Sequence, residues 1–378
     1  MANNSVMAQK PVKKKKIALA LQGGAAYGAF TWGVLDRLLE DERIEITAVS
    51  GTSAGAMNAA ALASGLDENG AEGAKNKLKE LWNTLAYDEV VKNVPYLGGA
   101  GSKSNRMLSR MLKQVMPETA AGDLVKTFKA FTQGTTMSLI NGKDGLFEEQ
   151  LEKIIDFDTL RSKKDGIPLF VAATDINAHK ERIFDRSDVT AKAVKASCAL
   201  PLIVGAVEID GRLYWDGGYL ANPAIAPLKD GDAADILVIQ TIHMQERDGM
   251  APIKSGIDRL MEFTNNASLR RDLEEIGRDN ARIAQNPKAA KALGLREIRT
   301  HGIQIGKELK AEHMMCFDRD HIDELYAAGR KAADDWIRQN FRHIGRKSTF
   351  TRDAVQPPAQ QTARGRKTLK TRAPKSPK

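Results

Sequence analysis

The stretch IEITAVSGTSAGAMNAAAL, residues 44–62, predicts a strand, a sharp turn and a helix in immediate succession. Residues 44–50 have the character of a buried strand, and Ala56 begins a run of small residues typical of a closely packed helix. Between them lies Gly51-Thr52-Ser53-Ala54-Gly55, in which the two glycines let neighbouring backbone approach closely. Such a turn raises the serine hydroxyl above the edge of a sheet.

Ser53 is therefore the predicted nucleophile of a serine hydrolase. A serine hydroxyl is a weak nucleophile at neutral pH, so it needs a base within hydrogen-bond reach and donors for the developing oxyanion. The helix that follows the turn directs its N-terminal amides toward the site. For this motif alone, a turn with a purely structural role is the alternative. A catalytic serine also requires a base and oxyanion donors elsewhere in the chain.

A second strand, turn and helix precede the first set. Residues 17–21 form a short apolar run, residues 22–28 are rich in Gly and Ala, and residues 29–41 have helical periodicity. Successive amides in such a loop can bind an anion. A dinucleotide loop is the competing interpretation, but its G-x-G-x-x-G spacing fails because position 25 is Ala. Two such units in succession favour a parallel α/β sheet.

The remaining elements continue this pattern. The predicted strands are residues 169–174, 204–209, 212–215 and 235–241, and the predicted helices are residues 189–199 (with Asp188 as N-cap), 256–284 and 319–339. Residues 66–150 contain helical stretches around a glycine-rich loop, one of them at 105–116, and are interpreted as a helical insertion over the sheet edge.

Asp216-Gly217-Gly218 follows the predicted strand 212–215 and supplies a candidate base, because an Asp on a strand-end turn is free to face the site. An ordinary Asp-Gly turn is the alternative. The chain has six histidines, of which His243, just past a strand, is the one placed where a triad histidine could lie. A loop histidine without a catalytic role is the simpler interpretation of His243.

Taken together, these elements resemble the patatin-like phospholipases. The resemblance lies in the glycine-rich loop 23–28, the turn 51–55 and the Asp216-Gly217-Gly218 motif. Ala196-Ser197-Cys198-Ala199-Leu200-Pro201 and Ala172-Ala173-Thr174-Asp175 strengthen it, and it extends from about residue 17 to residue 341. It implies a three-layer α/β/α fold with a mostly parallel central sheet and a helical insertion.

The resemblance also implies a Ser–Asp dyad that uses no histidine. Ser53 would attack the ester carbonyl, Asp216 would accept its proton and later activate water, and the amides of Gly23, Gly24 and Ala25 would form the oxyanion hole. The remaining motif glycines are Gly28, Gly51, Gly55, Gly217 and Gly218. No metal and no cofactor is expected.

Two residues depart from the family pattern. The family usually has a glycine where this chain has Ala25, and a Lys or Arg where it has Tyr27. If the loop requires a positive φ at position 25, the alanine costs about 1 kcal/mol in backbone strain. Tyr27 removes a positive charge that would favour anionic head groups.

The predicted function is a lipid acyl hydrolase of phospholipase A type that cleaves carboxylic esters through an acyl-enzyme. Hydrolysis of thioesters or storage polyesters is an alternative within the same class. An alternative from a different class is a catalytically weak lipid-binding or scaffold protein.

The net charge of +9 is concentrated at the two ends of the chain. Residues 1–16 carry +5 and residues 344–378 carry +9, whereas the body between them carries −5. We predict a disordered basic lead at 1–15, a hydrolase domain at 16–343 and a disordered basic tail at 344–378. The tails are suited to peripheral contact with anionic membranes, and no dedicated nucleic-acid partner is expected.

Two cysteines far apart in the sequence give neither a disulfide framework nor metal-ligand spacing. No apolar run approaches the ~18 residues of a membrane span. Lys13 to Lys16 and the apolar run after them imitate a signal peptide, but Gln22-Gly23-Gly24 interrupts that run. The sequence therefore predicts a cytoplasmic protein.

Overall fold

The computed structural model describes residues 14–86, 145–201, 204–242, 256–306 and 314–350, with the backbone alone for 256–262. The strands are β1 Lys15–Leu21, β2 Ile44–Thr52, β3 Leu169–Asp175, β4 Lys180–Asp185, β5 Val207–Ile209, β6 Arg212–Asp216, β7 Asp235–Gln240 and β8 Arg299–Gln304. The helices are α1 Gly28–Leu39, α2 Ala54–Leu85, α3 Leu146–Ile154, α4 Phe157–Ser162, α5 Ala191–Ser197, α6 Gly256–Gln285, α7 Pro287–Ala292 and α8 Arg319–Asn340.

The eight strands form one sheet in the order β5-β6-β3-β2-β1-β7-β8, with β4 also paired to β3. The five strands from β3 to β8 in this order are parallel. Strands β4 and β6 each pair antiparallel with β3, and β5 pairs antiparallel with β6. A parallel sheet needs cover on both faces, which explains the continuous apolar run of β1. The predicted mostly parallel sheet is confirmed.

Side chains of β1 alternate between two hydrophobic cores, one on each face of the sheet. Leu19 and Leu21 belong to the larger core, which includes residues of α1, α2, α5 and α8. Ala18 and Ala20 belong to the smaller core, which includes residues of α6. Helices therefore cover both faces, as the three-layer prediction requires.

Helix α8 packs against α1 with a glycine from each helix at the crossing. A Cβ atom on Gly33 would lie 2.0 Å from the carbonyl oxygen of Tyr326, and one on Gly329 would lie 2.1 Å from that of Phe30. The Tyr326 hydroxyl also donates to Asp36 at 2.8 Å. Since α1 begins directly after the glycine-rich loop, α8 supports the helix that carries this loop.

Replacing Gly329 with Ala is expected to destabilise the protein by about 2–3 kcal/mol, because the added methyl group overlaps backbone that cannot move aside cheaply. Gly277→Ala in α6 is the matched control, since a Cβ there would meet no atom within 4 Å. The control should stabilise by about 0.5–1 kcal/mol through helix propensity. Urea unfolding measures both changes, and equal effects would contradict the close helix crossing.

Residues 344–350, assigned to the basic tail in the sequence analysis, pack against the start of β7 and β8. The apolar residues at both ends of this segment are buried. Asp235 accepts hydrogen bonds from the Gly345 amide at 2.8 Å, from Arg299 at 2.9 Å and from His301 at 2.9 Å. Although burial alone raises it, these bonds hold the pKa of Asp235 at about 2. The buried carboxylate fastens this segment to the sheet.

Some local predictions are corrected. Strands β4 and β8 are absent from the prediction, because β4 is highly charged and β8 carries a glycine and a histidine in place of a continuous apolar run. The N-cap of α5 is Thr190 and not Asp188, since the Thr190 hydroxyl accepts the Ala193 amide at 3.1 Å.

Other predictions fall on residues that the structure does not describe. Residues 66–85, at the start of the predicted insertion, are the second half of α2, and 145–150 belong to the turn before α3 and to α3 itself. Residues 87–144 of the insertion, including the predicted helix 105–116, lie outside the described residues, as do 1–13 and 351–378 of the predicted tails.

Candidate active site

Strand β3 brings the candidate nucleophile and the candidate base together. Strand β4 pairs with β3 from residue 170 to 175, so β2 and β6 must share the opposite edge of β3. Along that edge Thr52, the last residue of β2, pairs with Ala172, and Asp216, the last residue of β6, pairs with Ala173. The serine that follows Thr52 is thereby placed beside Asp216, although 163 residues separate the two in sequence.

The turn at Ser53 has the geometry that its sequence predicts. Ser53 itself has φ 54° and ψ −124°, a strained conformation of the kind found at nucleophile elbows. A Cβ atom on Gly51 would lie 2.2 Å from the carbonyl oxygen of Gly55, and one on Gly55 would lie 2.2 Å from that of Leu21. Both glycines are required because backbone passes directly against them.

The end of α5 fixes the backbone on both sides of the site. The Ser53 amide donates to the Ser197 hydroxyl at 2.8 Å, and this hydroxyl donates to the Ala172 carbonyl at 2.6 Å. The Asp216 amide donates to the Ala199 carbonyl at 2.8 Å. Residues 197–199 thus hold the backbone of both Ser53 and Asp216.

Asp216 is a buried carboxylate in contact with the serine hydroxyl. It is 4% exposed and accepts a hydrogen bond from the Ser53 side chain. Its Oδ1 atom also accepts the Gly218 amide at 2.7 Å. Burial raises the pKa of Asp216 to about 6 even though both hydrogen bonds lower it. A carboxylate with this pKa is a stronger base than an ordinary Asp and is still ionised at neutral pH.

Cys198 lies against the same hydroxyl. Its thiol hydrogen-bonds with the Ser53 side chain, and burial raises the pKa of Cys198. The proximity of Asp216 raises it further. A thiol held in its protonated form is a poor nucleophile, so Ser53 remains the candidate nucleophile at this position.

The glycine-rich loop lies across from Ser53. The Gly23 amide donates to the Asn222 side chain at 2.7 Å, so this donor is already engaged. The amides of Gly24 and Ala25 donate to no other group within the described part of the chain. Of the three predicted oxyanion donors, these two are therefore the ones available to a bound substrate.

Ala25 has a φ of 48°, in the left-handed region that favours glycine. Replacing Ala25 with Gly is expected to stabilise the protein by up to about 1 kcal/mol, because the methyl group no longer opposes this conformation. Ala26→Gly is the matched control, since Ala26 is adjacent, buried and absent from the left-handed region. The control should destabilise by about 1 kcal/mol. Urea unfolding of both variants tests the strain, and a loss in Ala25→Gly would refute it.

A small cavity of about 50 Å³ connects these groups. Its wall contains Ser53, Asp216, Gly24 and Ala25. The larger aliphatic side chains in its wall are those of Leu200, Ile242, Met314 and Met315, and the Tyr219 ring lies beside them in the lining. The alternative base His243 lies outside the described residues. Within the described ranges, no helix combines the length and apolar character of a membrane span.

Four residues around the site were not assigned a role from the sequence. Three of them are Ser197, Asn222 and Thr241, whose side chains hydrogen-bond to the backbone of Ser53 or of Gly23. The fourth is Gln22, whose side-chain oxygen accepts the Thr241 amide. The available signal was a polar residue at the end of an apolar strand, as at Gln22 and Thr241. A polar residue in this position indicates where a strand ends. It does not indicate which distant backbone group its side chain will contact.

Comparison with known proteins identifies the family of the chain. The sequence pattern described as patatin-like phospholipase matches residues 19–229, more than half of the chain. Uncharacterized NTE family proteins of Mycobacterium bovis and Mycobacterium tuberculosis are 32% identical over 126 residues. That match covers 31% of this chain and 34% of each relative. The match therefore spans about a third of these curated relatives.

An uncharacterized protein of Acanthamoeba polyphaga mimivirus is 24% identical over 258 residues, covering 65% of this chain and 72% of that protein. Among solved structures, VipD from Legionella pneumophila aligns with a TM-score of 0.34 at 17% identity, over 84% of this chain and 67% of that chain. These sequence identities and this TM-score are too low to support a conclusion about function. The sequence pattern over residues 19–229 is decisive, and the chain belongs to the patatin-like phospholipase family.

Proposed function

We propose that this protein is a lipid acyl hydrolase of phospholipase A type, which cleaves carboxylic esters through a Ser53–Asp216 dyad. The observation that carries the proposal is the hydrogen bond from the Ser53 hydroxyl to a buried carboxylate with a pKa of about 6. A nucleophile, a base and free backbone donors around one cavity are the components that acyl transfer needs.

In the proposed reaction the Ser53 oxygen attacks the ester carbonyl carbon while its proton passes to Asp216. The negative charge formed on the carbonyl oxygen is stabilised by the amides of Gly24 and Ala25. The carbon–oxygen bond to the alcohol then breaks, and the alcohol leaves with the proton. A water molecule attacks the acyl-enzyme with Asp216 as base, which releases the fatty acid and regenerates the serine.

The substrate class follows from the family and from the apolar wall of the cavity. Leu200, Ile242, Met314 and Met315 offer methyl and thioether groups to an acyl chain. The basic segments 1–16 and 344–378 would attract an anionic lipid surface at about 1 kcal/mol per basic residue near the membrane. We therefore propose a cytoplasmic enzyme that acts on lipid at the membrane surface.

The proposal is tested with the full chain on vesicles of phosphatidylcholine and phosphatidylglycerol. Mass spectrometry should detect a free fatty acid and a lysophospholipid in equal amounts, and p-nitrophenyl butyrate should be hydrolysed as a soluble ester. Binding to the vesicles without turnover of either substrate would refute the hydrolase and favour a lipid-binding scaffold. Turnover of thioesters alone would replace carboxylic esters with thioesters as the substrate class.

The raised pKa of Asp216 predicts how activity depends on pH. The base must be ionised, so kcat/KM for a neutral soluble ester should increase about tenfold per pH unit below 6 and level off above it. Chromatographic measurement of the released acid from pH 4.5 to 8 checks this profile. Activity unchanged down to pH 4.5 would contradict a carboxylate base with a raised pKa.

A further inference from the structure

The peptide group between Gly23 and Gly24 is held from one side by a threonine. The Thr241 hydroxyl donates to the Gly23 carbonyl oxygen at 2.5 Å. In a trans peptide the carbonyl and the amide of the next residue point in opposite directions. The hydrogen bond from Thr241 therefore turns the Gly24 amide away from the threonine.

Thr241 lies behind the cavity wall. A Cβ atom on Gly24 would come within 2.6 Å of the Thr241 hydroxyl oxygen and 3.1 Å of its Cβ atom. Gly24 lines the cavity together with Ser53 and Asp216, whereas Thr241 does not. The amide that faces away from Thr241 is one of the two proposed oxyanion donors.

Thr241 is itself held rigidly. It follows β7 and is 1% exposed. Its amide and that of Ile242 both donate to the Gln22 side-chain oxygen at 2.9 Å. The Gln22 side-chain nitrogen in turn donates to Asn266 at 3.1 Å. This network fixes the hydroxyl relative to the loop.

We propose that Thr241 is a positioning residue for ester hydrolysis, whose hydroxyl sets the rotation of the Gly23–Gly24 peptide so that the Gly24 amide faces the oxyanion. The inference rests on the proposed function. Thr241 lies beyond residues 19–229, where the family pattern matches. Because the oxyanion exists only in the transition state and intermediate, loss of this orientation lowers kcat and leaves KM nearly unchanged.

The test compares Thr241→Val, which keeps the shape and removes the hydroxyl, with Thr241→Ser, which keeps the hydroxyl. Loss of one oxyanion donor lowers kcat by about 10²–10³-fold, and loss of its orientation alone should lower it by about 10–100-fold in Thr241→Val. KM should stay within about twofold, and Thr241→Ser should restore most of kcat. The rate of Ser53 phosphonylation by a fluorophosphonate should fall in parallel.

Thr300→Val is the matched control. Thr300 lies on the neighbouring strand β8, is 3% exposed and also donates its hydroxyl to a backbone carbonyl, that of Phe350. The control should lose stability as Thr241→Val does and keep its kcat. Equal kcat values for wild type and Thr241→Val, equal losses in both valine variants, or no recovery in Thr241→Ser would each overturn the inference.

If Thr241→Val does not fold, Thr241→Ala takes its place in the comparison. Alanine removes the hydroxyl without putting a methyl group in its position. The wild-type protein separates the two proposals. If it neither hydrolyses esters nor reacts with the fluorophosphonate at Ser53, the proposed function fails. If it does both and Thr241→Val matches it, the role of Thr241 alone fails.

Discussion

Replacement of Ser53 with Ala is expected to lower kcat/KM for a soluble ester by at least about 10⁴-fold, because no other described group near the cavity is an activated nucleophile. Cys198 does not substitute, since burial raises the pKa of its thiol. The variant should also lose the mass shift that a fluorophosphonate gives the wild type. Stability should change by less than about 1 kcal/mol, because only one oxygen atom is removed.

Ser64→Ala provides the matched control for Ser53→Ala. Ser64 lies in α2, the helix that follows the elbow, and is 5% exposed. The control should keep wild-type turnover and wild-type labelling. The control preparation serves to exclude contaminating esterases. Ester hydrolysis that then survives in Ser53→Ala would refute the assignment of Ser53 as the nucleophile.

Asp216→Asn is expected to lower kcat by about 10³–10⁴-fold, because an amide cannot accept the proton of Ser53. The side-chain oxygen of Asn still accepts the Gly218 amide, so the turn keeps its bond. Activity that survives this change would place the base elsewhere and make His243 the next residue to replace.

The same variant should be more stable than the wild type above pH 7. The pKa of Asp216 rises from 3.8 to about 6 on folding, so the native protein binds this proton more tightly than the unfolded chain does. The stability gained from that proton is complete below pH 3.8 and is lost as the pH rises through about 6. Asn carries no charge, so the variant avoids this loss, which amounts to at most about 3 kcal/mol.

Urea unfolding of Asp216→Asn and wild type at pH 4 and pH 8 measures this difference. The gain should be clear at pH 8 and nearly absent at pH 4. Lost activity together with increased stability separates a catalytic role from a folding defect. A variant that is less stable at pH 8 would show that the carboxylate is stabilised more by its hydrogen bonds than it is destabilised by burial.

The local parts of the site could be predicted from the sequence because they depend on neighbouring residues. The glycines at positions 51 and 55 mark a turn in which backbone must pass closely, and the structure has this close approach. The conditional expectation of strain at Ala25 likewise needed only the family pattern, and its φ of 48° meets that condition. Strands β1 and β7 were predicted because each contains a continuous apolar run, which indicates burial on both faces of the sheet.

The supporting contacts could not be predicted, because they join residues far apart in the chain. Asn222 reaches the Gly23 amide across 199 positions, and Thr241 reaches the Gly23 carbonyl across 218. Nothing in a single sequence gives the distance between such residues until the order of strands is known. The pairing of Thr52 and Asp216 with consecutive residues of β3 could not be predicted for the same reason, because it depends on the order of the strands.

The order in which these supports occur along the chain has a consequence for biosynthesis. The nucleophile is translated early, but Asp216, Asn222, Thr241 and α8, which complete or brace the site, follow in that order toward the C-terminus. A ribosome-bound chain that has reached residue 200 carries the serine without its base or its loop contacts. In the proposed mechanism such a chain does not hydrolyse lipid, because its base has not yet been translated.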